Sequence, residues 1–211
     1  MEHATSNTPY EPKPLPFQQS LIGISEKAMQ IHHDKLYVGY VHKMKEVSEK
    51  LMAMCASGVG LDSANATYSE LRALRDGETF AVNGVYLHEY YFNVLGGDGK
   101  PEGSLVDAIV AKYGTLEKFV AFFSATGMAV RGWVVLAWDT HAGRLKIYGA
   151  DSHHQGGVWG AIPLIVLDVY EHAYFMDYGS DRKKYIEDFW KNMNWAAATA
   201  VYERAQGMLR G

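Results

Sequence analysis

The stretch "AIPLIVLDVYEHAYF", Ala161 to Phe175, limits the folds open to this chain more than any other. Its first seven residues are almost wholly apolar and β-branched or leucine-rich, which reads as a strand buried on both faces. It ends on three ionisable groups, Asp168, Glu171 and His172. A carboxylate and an imidazole at the end of a dry strand must be hydrogen-bonded or bound to something. Taken alone, Asp-x-x-x-His is more often a helix start with Asp168 as N-cap. The rest of the chain decides whether these groups have partners.

Other histidines supply candidates. From Glu26 to about Met54, apolar residues recur at Met29, Leu36, Tyr40, Met44, Val47 and Leu51, a three-to-four spacing that predicts one long helix, with Ser25 as its N-cap. His32 lies on the apolar face, His33 beside it, and His42 on the solvated side. "SGVGLDS" at Ser57 to Ser63 reads as a turn. A short helix is predicted over Ala64 to Leu74 and another over Thr79 to Leu95, with His88 in its middle. Two imidazoles on buried helix faces, with Asp168 and His172 at a strand end, make a set of three nitrogens and one oxygen. Such borderline donors suit iron, manganese or zinc. A metal between the two parts of the chain is the simplest way to satisfy all four groups.

The organisation fits that placement. "GGDGKPEG", Gly96 to Gly103, is the clearest linker, and it divides the chain into an N-terminal arm (1–13), a helical domain (14–96) and an α/β domain (97–211). Beyond it come helical stretches at Leu105 to Tyr113 and Leu116 to Val130. Strands follow at Gly132 to Asp139, Arg144 to Asp151 and Ala161 to Asp168, the first two joined by a hairpin turn at Thr140 to Gly143, and helices close the chain. The fold class expected is α+β: a helical hairpin half, then a half with a small three-stranded antiparallel sheet.

Composition excludes several functions. Hydrophobic residues make up 48% of the 211, yet no apolar run reaches the ~18 residues of a membrane span. The net charge is −4 and the basic residues are scattered, which gives no case for nucleic acid. The first residues lack a basic end followed by an apolar stretch, so no secretory signal is read, and His3 falls in the arm. With one cysteine, Cys55, an internal disulfide is ruled out, and a cytoplasmic location is expected. No H-E-x-x-H occurs to support a zinc hydrolase.

"PLPF" at Pro14 to Phe17, "GIS" at Gly23 to Ser25, "MQIHHDK" at Met29 to Lys35, "YV" at Tyr40 to Val41, "LDVYEHAY" at Leu167 to Tyr174, "KYIEDFW" and "NW" at Asn194 to Trp195 occur in one order along the chain. Together they resemble the iron/manganese superoxide dismutase family. The resemblance implies conversion of superoxide to dioxygen and hydrogen peroxide at one iron or manganese ion per subunit, in a homodimer or a tetramer. It implies His32, His88, Asp168 and His172 as metal ligands, the same four that burial selects, and Tyr40 as the channel tyrosine that relays protons. Lys35 and Arg182 match basic residues that steer the anion. Glu171 matches a carboxylate that reaches the metal-bound histidine of the other subunit, and Trp133 belongs to the aromatic wall in "AVRGW".

The chain departs from the family pattern at several points. The family places a glutamine against the metal-bound solvent, from a helix or from the sheet. Here the helix position is Gly84 and the sheet position falls on His153, which is expected to fill the space over Gly84; a one-residue slip would substitute His154. Two family histidines are replaced by Leu36 and Tyr37, a tyrosine by Phe175 and a tryptophan by Tyr170. The metal stays open between iron and manganese. A metal-binding homologue with weak activity is the competing reading.

Overall fold

The computed structural model describes residues 10–207. Residues 1–9 of the expected arm, with His3, lie outside the described residues. Its remainder is not free: the Tyr10 hydroxyl donates to Ser48 Oγ at 2.7 Å. The Lys13 backbone is held on both sides, its N–H by the Tyr37 hydroxyl at 2.9 Å and its carbonyl by His33 Nε2 at 2.8 Å.

The helix predicted from Glu26 is interrupted. Ser25 caps α1 (Glu26–Ile31), its Oγ accepting from the Ala28 N–H at 3.1 Å. A π-helical segment, His32–Tyr37, then leads into α2 (Val38–Ser57), which stops at Gly58 in the left-handed region at φ 70°. This extra residue changes the phase of the buried face. Five α-helical residues turn about 500°, which would set Tyr37 roughly 140° from His32. Closing hydrogen bonds from i to i+5 brings it back to the same side. Tyr37 is therefore fully buried, while Leu36 and Tyr40, expected on the apolar stripe, are only half-buried.

The two helices expected over Ala64 to Leu74 and Thr79 to Leu95 are also corrected. Residues 61–69 are turns, built on Asn65 Oδ1, which accepts from the Thr67 and Tyr68 N–H groups. Ser69 then caps a single continuous α3 (Glu70–Asn93). Gly77 does not break it, since it lies where an added Cβ would only just reach Val47 on α2.

After the glycine-rich linker, α4 (Ser104–Tyr113) and α5 (Leu116–Ala129) precede β1 (Trp133–Asp139), β2 (Arg144–Ala150) and β3 (Ala161–Asp168). The sheet is antiparallel in the order β2-β1-β3, so β1 is central. Its hairpin turn is tied by Asp139 Oδ1, which accepts from the His141 and Ala142 N–H groups. β3 is buried from Leu164 to Asp168, as a strand covered on both faces must be. Then come α6 (Glu171–Tyr178), α7 (Arg182–Lys191) and α8 (Trp195–Gly207). α3 packs on β3, and one hydrophobic core runs from Ile24 through the sheet to Tyr202. The α3–β3 contact sets the end of the buried strand against the N-terminal helices. No helix among the described residues is long and apolar enough to cross a membrane.

Candidate metal centre

Four elements converge at the end of β3. His32 opens the π segment, His88 sits in the middle of α3, Asp168 ends β3 and His172 lies in the first turn of α6. One ligand atom from each lies within 4.8 Å of all the others. Asp168 Oδ2 is the hub, at 3.1 Å from His172 Nε2, 3.2 Å from His32 Nε2 and 3.7 Å from His88 Nε2.

The protein fixes these groups from behind. The Tyr170 N–H donates to Asp168 Oδ1 at 2.8 Å, and the Tyr185 hydroxyl donates to the Asp168 carbonyl at 2.8 Å. His88 Nδ1 donates to the Gly84 carbonyl at 2.5 Å, which places its proton on Nδ1 and leaves the Nε2 lone pair facing Asp168.

Two observations test whether a cation fits. His32 Nε2 and His88 Nε2 are buried with no aligned hydrogen bond, although both lie near a carboxylate oxygen. Leaving each unsatisfied costs about 1–3 kcal/mol. Protonation would not relieve this. Burial pushes the His32 imidazole down against the opposing pull of Asp168, and burial with the neighbouring His32 pushes His88 well down. Burial opposes ionisation of Asp168, but His172 and His32 outweigh it and hold the carboxyl below its usual range. Neutral imidazole lone pairs around one carboxylate, without a thiolate, fit iron, manganese or zinc.

A layer of rings covers the cluster. Trp133 is fully buried, lies edge-on to His88 with centroids 5.1 Å apart, and donates its indole N–H to His153 Nδ1 at 2.9 Å. Of the adjacent histidines, His153 is the buried one. His154 turns outward, its Nε2 3.2 Å from Asp76. One expectation is corrected: the ring over Gly84 is that of Tyr40, not His153. A Cβ on Gly84 would fall 2.8 Å from Tyr40 Cγ and Cδ1, and His153 packs edge-on against the same ring, centroids 4.7 Å apart. Tyr170 stacks on His172 at 5.2 Å. Phe80, 4.5 Å from His153, was missed from sequence. Its signal is the Phe80, Gly84, His88 series at four-residue steps on α3, one helix face.

The remaining expected residues are dispersed. Lys35 is exposed, and its ammonium makes no hydrogen bond or ion pair among the described residues. Arg182 is committed to the end of α5, donating to the Val130 carbonyl at 2.9 Å and to the Tyr174 hydroxyl at 3.1 Å. His33 lies outside the cluster, with Nε2 on the Lys13 carbonyl and Nδ1 on Asp34 at 2.7 Å. Glu171 is exposed with no partner among the described residues, beside His172, whose side chain is 28% exposed.

Two predictions arise here. Gly84→Ala should displace the whole Tyr40 ring rather than unfold α3, because Cγ and Cδ1, the atoms it would meet, cannot move without the rest of the ring. A cost of roughly 1–3 kcal/mol is expected in thermal or denaturant unfolding, with a larger proportional loss of superoxide consumption; unchanged activity would show the contact to be unimportant. The second concerns pH. Burial pushes the His153 imidazole down to about 4, and His32 and His88 are lowered too, so the unfolded chain binds more protons between about 6.5 and 4. Stability from these rings is present above 6.5 and is lost as pH falls through that window. His172, raised by Asp168 against its burial, opposes the trend with a single group. The melting temperature of metal-free protein should fall across this window, and less steeply in His153→Gln.

Comparison with known proteins agrees with the geometry. Residues 101–201 match the model of the iron/manganese superoxide dismutases, C-terminal domain. The chain is 42% identical over 197 residues to "Superoxide dismutase [Fe]" of Aquifex pyrophilus, covering 92% of each. It is 36% identical over 200 residues to the protein of the same name from Cupriavidus metallidurans, covering 93% of this chain and 98% of the relative. It is 34% identical over 201 residues to "Superoxide dismutase [Mn] 1" of Halobacterium salinarum, covering 93% and 96%. Relatives named for either metal thus align along nearly the whole chain, helical half and sheet alike, and on that evidence the chain belongs to the iron/manganese superoxide dismutase family.

Proposed function

We propose that the protein is a superoxide dismutase, with one iron or manganese ion per subunit held by His32, His88, Asp168 and His172. The observation that carries this is the pair of buried, unsatisfied Nε2 atoms turned toward one carboxylate. Iron or manganese in that set would supply a reversible one-electron step, which zinc lacks. The chain's own groups handle protons and access. Burial, reinforced by the charge of Asp168, raises the Tyr40 hydroxyl, so it keeps its proton at neutral pH and can deliver it to reduced substrate. The indole N–H of Trp133 can only donate, so His153 Nδ1 is an acceptor and the ring proton sits on Nε2. His153 therefore offers a neutral N–H donor among the rings of Tyr40, Tyr170 and His88. Lys35, free at the surface, contributes attraction for the anion; Arg182 holds α5 and adds only its charge.

The same reading takes residues 14–96 and 97–211 as two domains sharing the site, in a cytoplasmic homodimer. Supporting the dimer, Glu171, Phe175 and Met176 are exposed on α6 beside the open side of His172. The test is to load metal-free protein separately with iron, manganese and zinc and to measure bound metal and superoxide consumption. Activity with iron or manganese and none with zinc is expected; stoichiometric metal without superoxide consumption would leave only a metal-binding homologue. In the same assay His153→Gln should keep its metal but change the ratio of iron to manganese activity, with an overall loss of about 10–100-fold. His154→Gln, facing Asp76, should change neither. An empty site in His153→Gln would make His153 a ligand and the four-residue set wrong.

A further inference from the structure

Behind His32 lies a line of phenols whose arrangement exceeds what holding a metal needs. The Tyr91 ring is 5.3 Å from the His32 ring, and its hydroxyl is 3.0 Å from that of Tyr185. Tyr185 meets Tyr178 edge-on, ring centroids 5.7 Å apart. Tyr91 and Tyr185 are fully buried, whereas Tyr178 is half-buried. Tyr178 donates its hydroxyl to Asp188 Oδ2 at 3.1 Å, and Asp188 Oδ1 is held by Lys184 and Lys191, each at 2.7 Å. Aromatic rings in contact pass single electrons readily, and a phenol gives up an electron at accessible potential only if its proton has somewhere to go. Among phenols touching the ligand rings or their neighbours, Tyr37 also donates to a carboxylate, Glu89, at 3.0 Å, but it is fully buried and already accepts from Lys13. Tyr178 joins a proton acceptor to a position that external reductants can reach.

We propose that Tyr91, Tyr185 and Tyr178 form an electron relay that carries oxidising equivalents from the metal site to the surface when hydrogen peroxide accumulates there. The inference rests on the proposed function, which supplies both the metal and the peroxide. In each pass Tyr178 loses one electron inward through Tyr185 and Tyr91, and its proton moves to Asp188 Oδ2, leaving a neutral phenoxyl radical. After each pass a small surface reductant returns one electron to Tyr178 and Asp188 returns its proton, so the pair is ready again. Two electrons delivered in this way, with two protons drawn from solvent, break the peroxide O–O bond and release two waters, and the site returns to its starting state. The ligands and Trp133 are thereby spared oxidation.

The test is to mix iron-loaded protein with hydrogen peroxide and a nitroso spin trap, and to map the adducts by mass spectrometry. Bound iron and superoxide consumption are measured on the same samples. An adduct at Tyr178 is expected, lost in Tyr185→Phe and equally in Tyr91→Phe, which leaves the hydrogen bond to Asp168 intact. Adducts confined to Tyr37, Tyr40, Trp133 or Tyr170, or a Tyr178 adduct that survives both substitutions, would overturn the relay. Protein that binds iron and consumes superoxide but leaves Tyr178 unmarked defeats the relay alone; protein that binds no iron defeats the proposed function and the relay with it.

Discussion

His88→Ala is expected to reduce bound metal to background and to abolish superoxide consumption. His88 contributes one of four protein donors, and it is the donor with least freedom to be replaced. Its ring is fully buried, its tautomer is fixed by the Gly84 carbonyl, and among the described residues the cluster of four holds no spare donor. Truncation also opens a cavity beneath Trp133, at a cost of roughly 3 kcal/mol. Loss of metal must therefore be separated from loss of fold, by checking that the protein still melts cooperatively. The same outcome should follow at His32, Asp168 and His172. At Asp168 the metal-free protein should respond differently, because removing the carboxylate also removes the charge that keeps His172 raised. A single-alanine variant that stays folded, fully metallated and fully active would refute the assignment at that position.

The second large effect is on assembly. Glu171→Ala should weaken self-association and, with it, activity at low protein concentration. Among the described residues Glu171 has no partner, yet it stands next to a histidine whose outer side is open. A two-fold interface would use each such carboxylate once per subunit, so one substitution removes two contacts. Truncating one member of a buried hydrogen-bonded pair costs about 2–5 kcal/mol, or at least about 25-fold in association for each contact at about 1.4 kcal/mol per decade. Sedimentation over a dilution series, with activity measured on the same samples, reads both quantities. An active dimer that persists at every dilution would show that the bridge is not made.

What the sequence could and could not disclose follows from the range of each interaction. β3 and its terminal Asp168 were legible because a two-sided buried strand is a local pattern, and the helical positions of His32 and His88 were legible for a similar reason. The π segment was not. Its added residue leaves no compositional mark, so the apolar stripe was assigned to Leu36 and Tyr40 although Tyr37 is the buried residue. The two helices expected over Ala64 to Leu74 and Thr79 to Leu95 are one α3 from Glu70, and Gly77 within it is tolerated because it lies against α2. Contacts between distant segments were least accessible. Tyr185, seventeen residues beyond the aspartate whose carbonyl it binds, and Tyr40 lying over Gly84 depend on packing that no short window contains.

The pairing of Trp133 with Asp168 across β1 and β3 bears on how the protein reaches its native state. Strand neighbours alternate faces, so a slip of one residue would turn Asp168 away from the histidines and Trp133 away from His88. The irregularity between Leu136 and Ala137 gives the two ends of the pair different local offsets, so the offset at the Trp133 end is set independently of the far end. Only the chain with the correct offset at the Trp133 end has four donors in reach of one ion. Metal binding would then stabilise the native register over any shifted one, so the ion would hold the strand offset as well as serve the chemistry.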